Sequence, residues 1–98
     1  MAQKKRLREL AGKVATKEIL ETIVESERTQ YKDLAQFASI SSINQRLREL
    51  ENYGLIEHHI AREEKREEWY TSTEAGKEFI KQLREMDELD ERLRKGSA

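Results

Sequence analysis

Residues 40–60, ISSINQRLRELENYGLIEHHI, constrain the fold more than any other stretch of the chain. Ile43, Leu47 and Leu50 recur three and four residues apart and give a helix one apolar face. Ser41 reads as its N-cap, because a serine hydroxyl accepts a hydrogen bond from an otherwise unpaired amide of the first turn. Gly54 ends the helix, since glycine enters the left-handed conformation without steric cost. Leu55, Ile56, His58 and Ile60 then begin an extended run. The face opposite the apolar stripe carries Ser41, Ser42, Gln45, Arg48 and Asn52. Short hydrogen-bonding side chains beside an arginine match the donor and acceptor pattern of base edges in a DNA major groove.

The flanking segments fit around that unit. Upstream, Thr16 can cap a helix reaching about Ser26, with Ile19, Leu20, Ile23 and Val24 as its apolar face. Thr29 can cap a shorter helix whose Tyr31, Leu34, Ala35 and Phe37 face inward, and Ala38 and Ser39 link it to the next. Two short helices joined this tightly, the second with a polar outer face, form a helix-turn-helix pattern. Downstream, LIEHHI and EEWYTS alternate as strands. Between them AREEKR lacks glycine, which predicts a longer hairpin loop rather than a two-residue turn. Of the pair Trp69 and Tyr70, alternation sends one ring into the core and leaves the other on the sheet surface. A last helix runs from Thr73 to about Lys95. Its Ala75, Phe79 and Ile80 can pack back on the domain, while Leu83, Met86, Leu89 and Leu93 follow at coiled-coil spacing.

The run INQRLRELENYGLIE, a charged gap and then WYTSTEAGKEF resemble the winged helix-turn-helix of the HxlR-type and MarR-type transcription regulators. The resemblance covers roughly residues 12–79; many such regulators carry glycine in the link where this chain has Ala38 and Ser39. It implies a mainly α fold with a small β-hairpin and a long C-terminal dimerisation helix. The divisions would be a basic N-terminal extension or helix (1–15), a winged core (16–72), the dimerisation helix (73–95) and a tail (96–98). The implied function is a homodimeric, sequence-specific regulator that binds double-stranded DNA. Its recognition helix, 41–53, would lie in the major groove and its wing, 61–66, on the backbone. Neither a cofactor nor a small-molecule ligand is implied. The alternative is a winged-helix module that binds other proteins and no DNA.

Within that frame each candidate residue has an expected role. Gln45 and Arg48 lie opposite Ile43 and read bases, with Ser41 and Ser42 at the leading end of the same face. Asn44 and Arg46 sit at its margins, where backbone contact is expected, and Glu49 is turned away from the groove. Arg62, Lys65 and Arg66 of the wing, with Lys4, Lys5 and Arg6 of the N-terminal segment, are candidates for phosphate contact. Both groups also have a plainer reading, as a solvated run of mixed charge and a solvated basic tail. Leu83, Met86, Leu89 and Leu93 are expected to form the dimer interface, with Leu7 and Leu10 covering its flank.

Composition limits the other possibilities. The 98 residues carry a net charge of −1, yet residues 1–17 hold six basic side chains against one acidic. Residues 18–60 hold four basic against eight acidic. Affinity for nucleic acid comes largely from cations that displace counterions, so an acidic body weighs against DNA binding unless local clusters carry it. Cysteine is absent, which removes disulfides and thiolate metal sites and fits a reducing, cytoplasmic setting. His58 and His59 are neighbours on a strand and point to opposite faces, so they cannot share a metal. No nucleophile elbow or phosphate-cradling glycine loop is present, and an enzyme is not expected. No apolar run approaches the length of a membrane span.

Overall fold

In the computed structural model, residues 6–96 are described. The order is α1 (Arg6–Ala11), α2 (Thr16–Glu25), α3 (Tyr31–Leu34), α4 (Ile40–Asn52), β1 (Ile56–Ala61), β2 (Glu67–Ser72) and α5 (Glu74–Gly96). This is the expected mainly helical architecture with one antiparallel hairpin. Lys4 and Lys5, and the side chain of Arg6, lie outside the described residues, as do positions 97 and 98 of the expected tail.

The core forms where the amphipathic faces meet. Ile19, Leu20 and Ile23 of α2, Leu34 of α3, and Ile43, Leu47 and Leu50 of α4 are buried together. Ile56 of β1 and Phe79, Ile80 and Leu83 of α5 join them. Burying each such side chain stabilises the fold by roughly 1.5–3 kcal/mol. Ala35 and Ala75, expected to face inward, are exposed. Gly76 takes the inner position on α5 instead, because a Cβ there would stand 2.1 Å from the Leu55 carbonyl oxygen.

Two expected dimer residues belong to this core. Leu10 of α1 is 2 % exposed and Leu83 of α5 is 7 % exposed. Helical spacing correctly marks both as needing cover, and the cover comes from their own chain. Leu83 is buried because α5 lies along α2, where Arg84 reaches Glu21 and Glu25, each at 2.9 Å. Lys17 pairs with Asp87 one turn further on. The hydrogen bond and charge of Asp87 outweigh the effect of burial and hold the Lys17 ammonium above its ordinary pKa.

The ends of α4 differ in how far the sequence signals them. At its C-terminus Gly54 has φ 75°. The Gly54 amide donates to the Glu51 carbonyl and the Leu55 amide to the Leu50 carbonyl, both at 2.9 Å. That is a Schellman closure, completed by apolar Leu50 and Leu55 in one cluster. At the N-terminus the cap is Ser39, not Ser41: the Ser39 hydroxyl accepts from the Ser42 amide at 3.2 Å. Serines at 39, 41 and 42 are chemically equivalent caps, and packing of the preceding turn selects among them. Two further threonines expected as caps serve elsewhere. Thr16 Oγ1 donates to the Leu10 carbonyl at 2.7 Å, and Thr29 forms a β-bridge with Tyr70. Thr73 does cap α5, accepting from the Gly76 amide at 3.0 Å.

The hairpin pairs Ile56 with Ser72 through Ala61 with Glu67, leaving a five-residue tip at 62–66. Alternation separates its faces as expected. His58 stacks on Tyr70 with ring centroids 4.7 Å apart, and Tyr70 packs against the core. On the other face His59 stacks on Trp69 at 5.3 Å, and the Arg28 guanidinium lies 3.8 Å from the Trp69 ring centroid.

Candidate nucleic-acid interface

The candidate interface is built on α4, whose direction is fixed at two places by contacts that leave its outer face open. At its C-terminal end Thr73 Oγ1 donates to the Gly54 carbonyl at 2.6 Å, and the Thr73 amide donates to the Leu55 carbonyl at 3.1 Å. Together with the close approach of Gly76, these bonds dock the first turn of α5 against the end of α4. A displacement of α5 therefore moves the helix that would read DNA.

The second anchorage lies midway along α4 and corrects the expectation for Arg46. Only 6 % of Arg46 is exposed. Its Nε donates to the Val14 carbonyl at 3.1 Å, and its Nη1 pairs with Glu49. Glu49 in turn accepts from Lys13 Nζ at 2.6 Å. Burial pulls the Glu49 carboxyl upward, but hydrogen bonds from Lys13 and Arg46, with their charges, leave it below the ordinary value of 4.5. Arg46 is thus withdrawn from the DNA-contact set. It grips the turn between α1 and α2, where Ala15 stands at φ 68°. A non-glycine residue in that region costs roughly 1–3 kcal/mol, and the bonds of Arg46 to the Val14 carbonyl and of Thr16 to the Leu10 carbonyl hold the turn in place. An arginine flanked by Gln45 and Leu47 gives no local sign of this. Its signal is its phase, on the edge of the apolar face.

The other α4 candidates are open to solvent. Ser41, Asn44, Gln45 and Arg48 are exposed, and Ser42 is half-buried. The first turn of α4 contains no acidic residue, and Glu49, the first carboxylate along the helix, is neutralised by Lys13 and Arg46. The N-terminal two-thirds of α4 is therefore a surface without carboxylates at the positive end of a helix dipole.

The wing is electrostatically mixed. Arg62 and Lys65 are exposed and have no ion pair among the described residues. Arg66 pairs with Glu68 at 3.2 Å, and the same carboxylate accepts from His58 Nε2 at 2.9 Å. Among the described residues no group of three or more His, Cys, Asp or Glu could hold a metal. No helix there is long and apolar enough to cross a membrane.

Beyond Arg84, α5 carries Met86, Leu89 and Leu93 at 61 %, 45 % and 62 % exposure. They extend the row of Phe79 and Leu83 out of the core. Leu7 of α1 is also exposed, at 39 %. The molecule is correspondingly elongated, at 58 × 32 × 26 Å.

Comparison with known proteins agrees with this architecture. Residues 16–97 match the model of the HxlR-like helix-turn-helix. The fold is similar to the reduced form of the transcriptional regulator YodB from B. subtilis, with a TM-score of 0.73 and 23 % identity. The alignment covers 85 % of this chain and 83 % of that one. It is also similar to a PadR-like transcription factor from Bacteroides fragilis, with a TM-score of 0.67 and 18 % identity over 81 % and 85 % of the two chains. At these identities the likeness is one of fold. No curated protein matches the chain in sequence.

Proposed function

The chain belongs to the HxlR-like helix-turn-helix family, and on that premise we propose that it is a homodimeric, sequence-specific reader of double-stranded DNA. The family makes it a DNA-binding transcriptional regulator rather than an enzyme. The observation that carries the finer reading is the open outer face of α4, carboxylate-free over its N-terminal two-thirds and clamped from behind by Arg46 and at its end by Thr73. In this reading α4 enters the major groove. Arg48 pairs with O6 and N7 of a guanine, Gln45 with an adenine, and the hydroxyls of Ser41 and Ser42 meet phosphates or base edges. Asn44 contacts the backbone at the margin. Arg62, Lys65 and Arg66 of the wing, with Lys4, Lys5 and Arg6, supply phosphate contacts.

The dimer forms through Met86, Leu89 and Leu93, with Leu7 on the flank. A monomer leaves these side chains in water, and pairing two copies about a two-fold axis, the commonest symmetry of soluble oligomers, covers them. It also joins two α4 helices through the α4–α5 junction, so the dimer geometry sets the spacing of the two half-sites.

The test is binding to sheared genomic DNA across a salt series, with light scattering on the same sample. The expected result is twice the 11.6 kDa chain mass and an affinity whose logarithm falls linearly with that of salt concentration. A dimer with no affinity for DNA at low salt would favour the protein-binding module, which the acidic charge of residues 18–60 would suit.

A further inference from the structure

Ile40 is the most exposed of the large hydrophobic residues described, at 71 %. It is the first residue of α4. Three residues on, Ile43 is completely buried, so helical spacing alone would send Ile40 to the core as well. It stays outside because the helix begins there, beyond the end of the core. Its backbone is nevertheless held. Tyr31 Oη donates to the Ile40 carbonyl at 3.4 Å, and the Ser39 cap closes the turn around it. A β-branched side chain in a helix keeps essentially one χ1 rotamer. The result is a rigid apolar group with no cover of its own.

Its surroundings indicate what would cover it. Ile40, Asn44 and Arg48 stand four residues apart and form one row along α4, all three exposed. Ser39 and Ser41 flank Ile40 in the chain. This is a single apolar group in a polar setting, unlike the Met86, Leu89 and Leu93 stripe, so it fits an equally isolated apolar target. The absence of acidic residues from the first turn allows that target to lie in an anionic groove. Among the groups that base pairs present in the major groove, the apolar one is the C5-methyl of thymine. We propose that Ile40 determines specificity by packing against a thymine methyl group, an inference that rests on α4 being the DNA-reading helix. Eight residues at a rise of 1.5 Å separate Ile40 from Arg48 by about 12 Å. The thymine therefore lies within about four base pairs of the pair read by Arg48.

The test uses the full chain and a duplex recovered by the parent protein from a randomised pool. Each thymine is replaced in turn by deoxyuridine, which removes the methyl group alone. The expected result is a loss of about fourfold in affinity at one thymine per half-site, the worth of one buried methyl-sized group. Ile40→Ala should bind the thymine and uracil duplexes equally. An exposed side chain is not needed for folding, and circular dichroism of the variant should match the parent. The proposal is overturned if the parent is indifferent at every thymine, or if Ile40→Ala remains as sensitive as the parent. Arg48→Ala, measured on the same duplex and on a scrambled one, separates the two levels. Lost selectivity in Arg48→Ala with silent thymines leaves α4 as the reader and removes Ile40. Unchanged selectivity in Arg48→Ala, with silent thymines, removes both.

Discussion

Two helical faces of this molecule are left uncovered, and their chemistry is opposite. The outer face of α4 is polar, free of carboxylates over its N-terminal two-thirds, and held from behind by hydrogen bonds. The distal half of α5 is apolar along Met86, Leu89 and Leu93, and acidic and basic residues flank that stripe. A polar, positively polarised face loses little in water and gains from an anionic partner with directional acceptors. An apolar stripe loses in water and gains from any apolar surface of matching spacing, which a second copy supplies. In the function proposed above, DNA is therefore the partner of α4 and a second copy the partner of α5.

The largest expected effect breaks the contrast on α5. Leu89→Glu places a charge at the centre of the proposed interface in both copies. It removes burial worth on the order of 3–6 kcal/mol for two leucines and should leave a folded monomer of 11.6 kDa by light scattering. Leu83→Ala, two turns nearer the core, should instead lower unfolding stability by about 2–5 kcal/mol. If Leu83→Ala dissociated the dimer without loss of stability, or if Leu89→Glu unfolded the chain, the division of α5 into an inner and an outer half would be wrong.

That division also shows what could be read from the residues alone. The end of α4 at Gly54, both strands, the hairpin loop and the cap at Thr73 are encoded locally, by a turn conformation, alternation or a cap, and they stand where expected. The fates of Leu10, Leu83 and Arg46 depend on tertiary neighbours. Spacing identified Leu10 and Leu83 as needing cover, but whether that cover is the same chain or another depends on how α5 lies against α2. Arg46 looked like its exposed neighbour Arg48 because both are arginines on one helix. Two steps of 100° turn the first towards Val14 and Glu49 and the second towards solvent. The choice of Ser39 over Ser41 as cap rests on the path of the link before it, which no short motif here specifies.

A smaller effect sharpens the boundary of the α4 face. Glu49 is held below its ordinary pKa in the folded protein by Lys13 and Arg46 against the opposing effect of burial. A carboxyl with a depressed folded pKa contributes stability that is fully present above the unfolded value, near 4.5, and is lost as pH falls through the folded one. Glu49→Gln should therefore cost about 1.5–3 kcal/mol at neutral pH, the range for hydrogen bonds to charged groups. The gap between parent and variant should narrow below the ordinary carboxylate range, as urea unfolding at neutral and acid pH would reveal. A gap independent of pH would mean that the Lys13–Glu49–Arg46 cluster does not restrain α4.

The central claim, that the outer face of α4 reads base sequence, is tested most directly by Gln45→Ala and Arg48→Ala on the selected duplex and on a scrambled one. Both side chains are exposed, so neither change should disturb the fold. The expected result is a loss of about 1–3 kcal/mol for Arg48→Ala on the selected duplex, relaxed preference at one base pair, and little change on the scrambled DNA. Gln45→Ala should relax preference at a different pair. If both variants bind both duplexes as the parent does, α4 is not the reader.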